Sequence, residues 1–190
     1  MATTARALEQ HTVINGVDVT ALTETLDTVA GQPALAQFRF RNANRWVNGS
    51  LNRSTIKGFY GAGREDDTRS AAYEFAADEP AVLLGEDRGA NPVEYLLHAL
   101  AGCMTTTMVY HAAARGIVIE ALESSLEGDI DIRGFTGIAP DVPKGYREIR
   151  VSFRAKTAGD AQELKALARM SPVYNTIQGS VPVVVTVETY

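Results

Sequence analysis

The chain has 190 residues, 45% of them hydrophobic, and a formal net charge of −5, which suits one domain with a substantial core. An acidic balance argues against nucleic acid and anionic membranes as main partners, because neither attracts a negative surface. One cysteine closes no internal disulfide, and with three histidines it is too little to build a zinc cluster, so neither metal nor cofactor is expected.

In chain order, the opening stretch MATTARALEQHTVING lacks the apolar core of a signal peptide. No run of 18 apolar residues follows, so no membrane span is expected. With the lone thiol, this predicts a cytoplasmic protein. Val19, Leu22, Leu26 and Val29 recur at helical spacing, and Gly31 and Pro33 end the run. Residues 1–33 read as an N-terminal helical extension and 34–190 as the main domain. From Leu35 to Arg41, Ala36, Phe38 and Phe40 alternate with Gln37, Arg39 and Arg41, which predicts a strand. Asn48-Gly49 signals a hairpin turn. A second strand is expected from Ser54 to Phe59, with further strands at 72–76 and 81–84.

Residues 91–115 read as one long helix. Asn91 caps it, Pro92 takes the first position and Glu94 completes a capping box. Residues 117–132 alternate again, with a break near Gly128. Between Arg147 and Lys156, the residues Ile149, Val151, Phe153 and Ala155 share one face of a strand. An amphipathic helix over 157–170 turns Ala161, Leu164, Leu167 and Ala168 inward. Ser171-Pro172 starts a short helix, and 181–189 is the closing strand. The stretch 133–149 holds Gly134, Gly137, Pro140, Pro143 and Gly145, too many breakers for an element. A loop of this length suits a lid or an interface segment. Segregated runs of strands and helices predict an α+β fold, an antiparallel sheet wrapped on central helices.

Cys103 is the residue with chemistry to offer. A free cysteine in an apolar helix commonly packs as a small hydrophobe. It lies well past the first turn, where the helix dipole no longer lowers a thiol pKa, so reactivity would require a cation from elsewhere. Leu96, Ala99, Leu100, Thr106, Thr107 and Tyr110 share its side of the helix. Gly102 precedes it, as if to admit a close neighbour. His98 and His111 fall off the stripe and read as structural.

The strings NPVEYLLHALAGC, SPVYNTI and VPVVVTVE resemble the OsmC/Ohr superfamily, small cytoplasmic proteins of which many are thiol-dependent peroxidases. The resemblance runs over about residues 36–190. It implies an intertwined homodimer with active sites at the subunit interface. It also implies that Cys103 attacks an organic or small hydroperoxide. In the two-cysteine members a second cysteine opens the C-P-V motif and resolves the oxidised thiol. Ser171 stands at that position here, so the implied cycle uses one cysteine and an external thiol reductant. The resemblance further implies an arginine beside the thiolate, for which Arg45 matches best and Arg53 next. The hydroperoxidase branch places a glutamate directly after Asn-Pro, where this chain has Val93. Glu94, one residue on, is turned by about 100° and reads as a cap. Tyr95, Leu96, Leu100 and Met104 would line an apolar pocket favouring alkyl peroxides. Two alternatives stay open: a non-catalytic binding protein with its pocket at the dimer interface, and a scaffold with Cys103 buried.

Overall fold

A computed structural model describes residues 11–190. The first ten residues of the extension expected over 1–33 therefore lie outside the described residues. Asn15 and Gly16 take positive φ (54° and 76°) and turn a small hairpin between β1 Val13–Ile14 and β2 Val17–Asp18. The Asp18 carboxylate accepts the Ala21 N–H at 2.9 Å and so caps α1 Val19–Gly31. The Asn15 side chain donates to the Ile117 carbonyl (2.9 Å) and accepts from the Ile119 N–H (2.8 Å). It thereby ties the hairpin to a segment far away in sequence. The described chain divides into two units, one formed by residues up to Leu26 with Cys103–Tyr190, the other by Asp27–Gly102.

The Asp27–Gly102 unit opens with a 3-10 helix, Pro33–Ala36. The strand expected over 35–41 does not form. The alternation is real, but the segment meets another strand only where Arg39 bridges Tyr60. Its Phe38 and Phe40 rings instead stack with Phe59, centroids 5.6 to 6.4 Å apart. Next come β3 Ala43–Asn48, β4 Leu51–Ile56, β5 Phe59–Gly61, β6 Arg64–Asp66 and β7 Tyr73–Ala77. β3, β4 and β7 form an antiparallel sheet, and β5 pairs with β6. Gly49, at φ 55°, turns the expected hairpin. The strand expected from Ser54 to Phe59 is cut at Gly58, where a Cβ would collide with the Asp67 carboxylate.

Residues 81–84, expected as a strand, form a 3-10 turn ended by Leu84 in the left-handed region (φ 66°). The cause is a buried anchor. Asp78, only 2% exposed, accepts from Ser50 Oγ (2.5 Å), the Glu79 N–H (2.9 Å) and the Arg88 N–H (3.1 Å). The Ser50 bond first, and the backbone donors after it, hold the carboxyl below its ordinary range. A Cβ on Gly85 would strike the Glu79 carbonyl, so only glycine fits the return.

α2 Pro92–Ala114 begins in this unit and ends in the other. Its capping box is in place: Asn91 Oδ1 accepts the Val93 N–H (3.0 Å) and Glu94 accepts the Asn91 N–H (2.9 Å). Leu100, Met104, Met108 and Ala112, four residues apart, are all fully buried.

The other unit holds β8 Ala121–Ile130, the short α3 Ile132–Phe135, β9 Tyr146–Lys156, α4 Ala161–Ala168, α5 Pro172–Ile177 and β10 Val183–Thr189. β8 and β9 pair antiparallel, and β10 joins the other edge of β9 in parallel. β8 passes through Gly128 without breaking, because the Tyr146 ring fills the space a side chain would need. On β9, Ile149, Val151, Phe153 and Ala155 are buried, as their period of two predicts. Asp160 caps α4 through the Glu163 N–H (2.8 Å), and Leu164, Leu167 and Ala168 turn inward. Ser171, fully buried, caps α5 by accepting the Tyr174 N–H at 3.1 Å. The architecture is α+β, and among the described residues the strands pair antiparallel except β10 with β9. Among the described residues, no helix is long and apolar enough to cross a membrane.

Candidate functional site

A cavity of about 500 Å³ lies within the Asp27–Gly102 unit. Register decides which side chains reach it. Asn44, Ser54 and Phe75 are cross-strand partners, as are Trp46, Asn52 and Ala77, so these residues share one face of the sheet. That face and the first turns of α2, from Pro92 to Ala99, line the cavity. Two contacts fix the helix start against the sheet. The Tyr95 hydroxyl donates to the Ala76 carbonyl (2.8 Å), and its ring stands edge-on to Phe75, centroids 6.2 Å apart.

The polar side of the cavity on the sheet is Asn42, Asn52 and Ser54, tied together by Asn44, which lies outside the lining. Asn52 Nδ2 donates to the carbonyls of Ser50 and Ala77 (3.3 Å each). Its Oδ1 is thereby left to accept from Asn44 Nδ2 (2.7 Å). Asn44 Nδ2 also donates to Ser54 Oγ (2.9 Å), which Asn42 Nδ2 reaches at 3.5 Å. Ile56, Phe75, Ala77 and Ala99 supply the apolar side, His98 lines the cavity from α2, and among the described residues no Asp, Glu, Lys or Arg does.

Cys103 is free and half-buried. It stands four residues after the cavity-lining Ala99, about one turn along the same helix. A Cβ on Gly102 would meet nothing, so among the described residues no backbone presses on that glycine. Arg45 and Arg53 face each other across β3 and β4, both exposed. They border a separate groove of about 180 Å³ with Thr55 and Glu74, on the sheet face turned away from the cavity. Neither side chain forms an ion pair or a hydrogen bond among the described residues. Like charges directly opposite repel, so the pair gains nothing locally.

Of the four pocket residues expected, only Tyr95 lines the cavity. Leu100 and Met104 belong to the buried stripe of α2 and are core. Leu96, 39% exposed, lies outside the lining. A four-residue apolar stripe looks the same whether it meets core or ligand. The amide cluster and His98 were not anticipated. The signal for the cluster was present: Asn42 and Asn44, then Asn52 and Ser54, each two residues apart, sit where a strand facing core would carry apolar side chains. Among the described residues no group of three or more His, Cys, Asp or Glu side chains is placed to hold a metal ion.

The fold is shared with solved structures. An OsmC-like protein from Mycoplasma pneumoniae aligns over 80% of this chain and 96% of its own, at 20% identity and a TM-score of 0.61. A putative osmotic stress induced and detoxification response protein from Psychrobacter arcticus aligns over 77% and 94%, at 17% identity and 0.59. An organic hydroperoxide resistance protein OsmC from Legionella pneumophila aligns over 78% and 97%, at 19% identity and 0.52. No curated protein matches the sequence significantly. The OsmC-like protein family matches residues 85–186, more than half of the chain, and the chain belongs to that family.

Proposed function

We propose that this OsmC-like protein reduces organic or small hydroperoxides in a one-cysteine cycle. The Cys103 thiolate attacks the outer peroxide oxygen, the O–O bond breaks, and the alkoxide takes a proton to leave as alcohol. The sulfur is left as sulfenic acid. An external thiol condenses with it, releasing water and forming a mixed disulfide. A second thiol then frees Cys103 as an external disulfide departs. The supporting observation is the position of Cys103. It closes the NPVEYLLHALAGC string within the family match and is half-buried, whereas Leu100 and Met104 beside it in sequence are sealed. Reaction would take place in a reducing cytoplasm, where external thiols are abundant.

The thiolate needs a cation, and Arg45 and Arg53 are unpaired and turned away from their own chain's cavity. In a homodimer, the arginines of one copy would serve the thiol of the other. Chains carrying Cys103→Ser and chains carrying Arg45→Ala with Arg53→Ala, co-expressed, should then regain activity that neither has alone. Failure to regain it would remove the arginine assignment.

A second reading is a binding protein without turnover. It is favoured by Ser171, which is committed to capping α5 and offers no resolving thiol. Peroxide consumption in excess dithiothreitol separates the two readings. Loss that continues over many equivalents supports the peroxidase; loss that stops at one equivalent per chain supports the binder.

A further inference from the structure

The groove beside Arg45 and Arg53 holds charges that its own chain leaves unmatched. We propose that it binds small acidic amino acids, the two carboxylates on Arg45 and Arg53 and the ammonium on Glu74. This goes beyond the thiol chemistry, since the groove is built within one chain and does not include Cys103.

Register places the three charges together. Arg45 faces Arg53, which faces Ala76; two residues along, Ala43 faces Thr55, which faces Glu74. Side chains two apart on a strand share a face, and Arg45, Arg53 and Glu74 line one groove of about 180 Å³ with Ala43 and Thr55. All three charged side chains are exposed, and among the described residues none forms an ion pair or a hydrogen bond. Arg53 and Glu74 are diagonal neighbours, within reach of long side chains, yet they stay apart. Carboxylates are not scarce in this chain, with 23 acidic residues against 18 basic. On β9, Arg150 alone engages Glu127, Asp129 and Glu148.

Two guanidiniums and one carboxylate are complemented by two carboxylates and one ammonium. A guanidinium presents a planar fork that a carboxylate meets with two parallel hydrogen bonds. Glu74 accepts from an ammonium, and the Thr55 hydroxyl donates or accepts beside it. A dicarboxylate without the ammonium sets a like charge against Glu74. An amino acid with one carboxylate leaves one of two facing guanidiniums unmatched, and that pair repels when empty. The volume lies below the range of drug-sized sites, which suits one amino acid.

L-Glutamate, glutarate and 4-aminobutanoate separate these features, since glutarate lacks the ammonium and 4-aminobutanoate lacks one carboxylate. Each is titrated calorimetrically into the wild-type chain at low ionic strength, where exposed charge pairs are least screened. Glutamate should bind about threefold or more tightly than either. Glu74→Gln should bring glutamate down to the level of glutarate without weakening glutarate, and Arg45→Gln with Arg53→Gln should abolish binding of all three. No glutamate binding to the wild-type chain, glutarate binding as tightly as glutamate, or glutamate binding that survives loss of both arginines would each overturn the proposal. The proposed peroxidase is tested apart from it. If glutamate binds as expected while peroxide is not consumed, the peroxidase reading alone fails. If glutamate binds as expected and leaves the rate of Cys103 oxidation unchanged, the groove stands and the assignment of these arginines to the thiolate fails.

Discussion

The two three-stranded sheets use the same local pattern for opposite ends. On β9 every second residue is apolar and buried: Ile149, Val151, Phe153 and Ala155. On β3 all six residues are exposed, and the polar residues beside it and on its neighbour, Asn42, Asn52 and Ser54, line a cavity. Fully burying one large apolar side chain is worth roughly 1.5–3 kcal/mol. The C-terminal sheet collects that stabilisation at each inward position. The N-terminal sheet forgoes it and keeps an open, hydrogen-bonding surface. Stability and binding are therefore expected to separate by sheet, and substitutions in the two should have unlike consequences.

The largest effect belongs to the β9 core. Phe153→Ala should lower unfolding free energy by about 3–5 kcal/mol in urea titrations, leaving the chemistry of the remaining folded molecules unchanged. Asp78 sharpens the contrast from within the N-terminal unit, because here a single polar residue carries structure. Asp78→Ala strands the Ser50 hydroxyl and two backbone donors and should cost about 2–3 kcal/mol. Its carboxyl is held below the ordinary range in the folded chain. The stability it contributes is therefore present above the unfolded pKa of about 4 and lost as pH falls through the folded value. Acid titration of the unfolding midpoint should be shallower in Asp78→Asn.

Ser171 comes next. Ser171→Ala should cost about 1 kcal/mol as a lost cap. Ser171→Cys should form a disulfide with Cys103 after one equivalent of peroxide, visible on non-reducing mass analysis; a lasting sulfenic acid in that variant would place the resolving position elsewhere. The smallest stability change is expected on β3, where Asn44→Ala on an exposed side chain should stay within about 0.5 kcal/mol in urea titrations. A large loss of stability there would end the separation between the sheets.

Much of the fold was legible because its signals are local. The capping box of α2, the Ser171-Pro172 start of α5 and the period of β9 each follow from a few adjacent residues. The misread segments depend on distant partners. Phe38 and Phe40 alternate like a strand but spend their faces on Phe59. The apolar run at 81–84 is bent by Asp78 and by the crowding at Gly85. The parallel entry of β10 is a choice of sheet edge that no window of sequence contains. At the candidate site, the motif singled out Cys103, and the capping geometry separated Glu94 from it. Which apolar helix residues meet core and which meet a cavity could not be read from spacing. Nor could the sheet face that carries Arg45 and Arg53, because that depends on register. The amide cluster was visible as paired polar residues, but identical spacing on a solvated strand looks the same.

The central claim is that Cys103 is an activated thiol. Intact mass after addition of cumene hydroperoxide, with and without a sulfenic-acid trap, tests it most directly. The expected result is rapid formation of one trapped adduct per chain, absent from Cys103→Ser. A wild-type chain that stays unmodified under excess peroxide would contradict the account and leave Cys103 as packing.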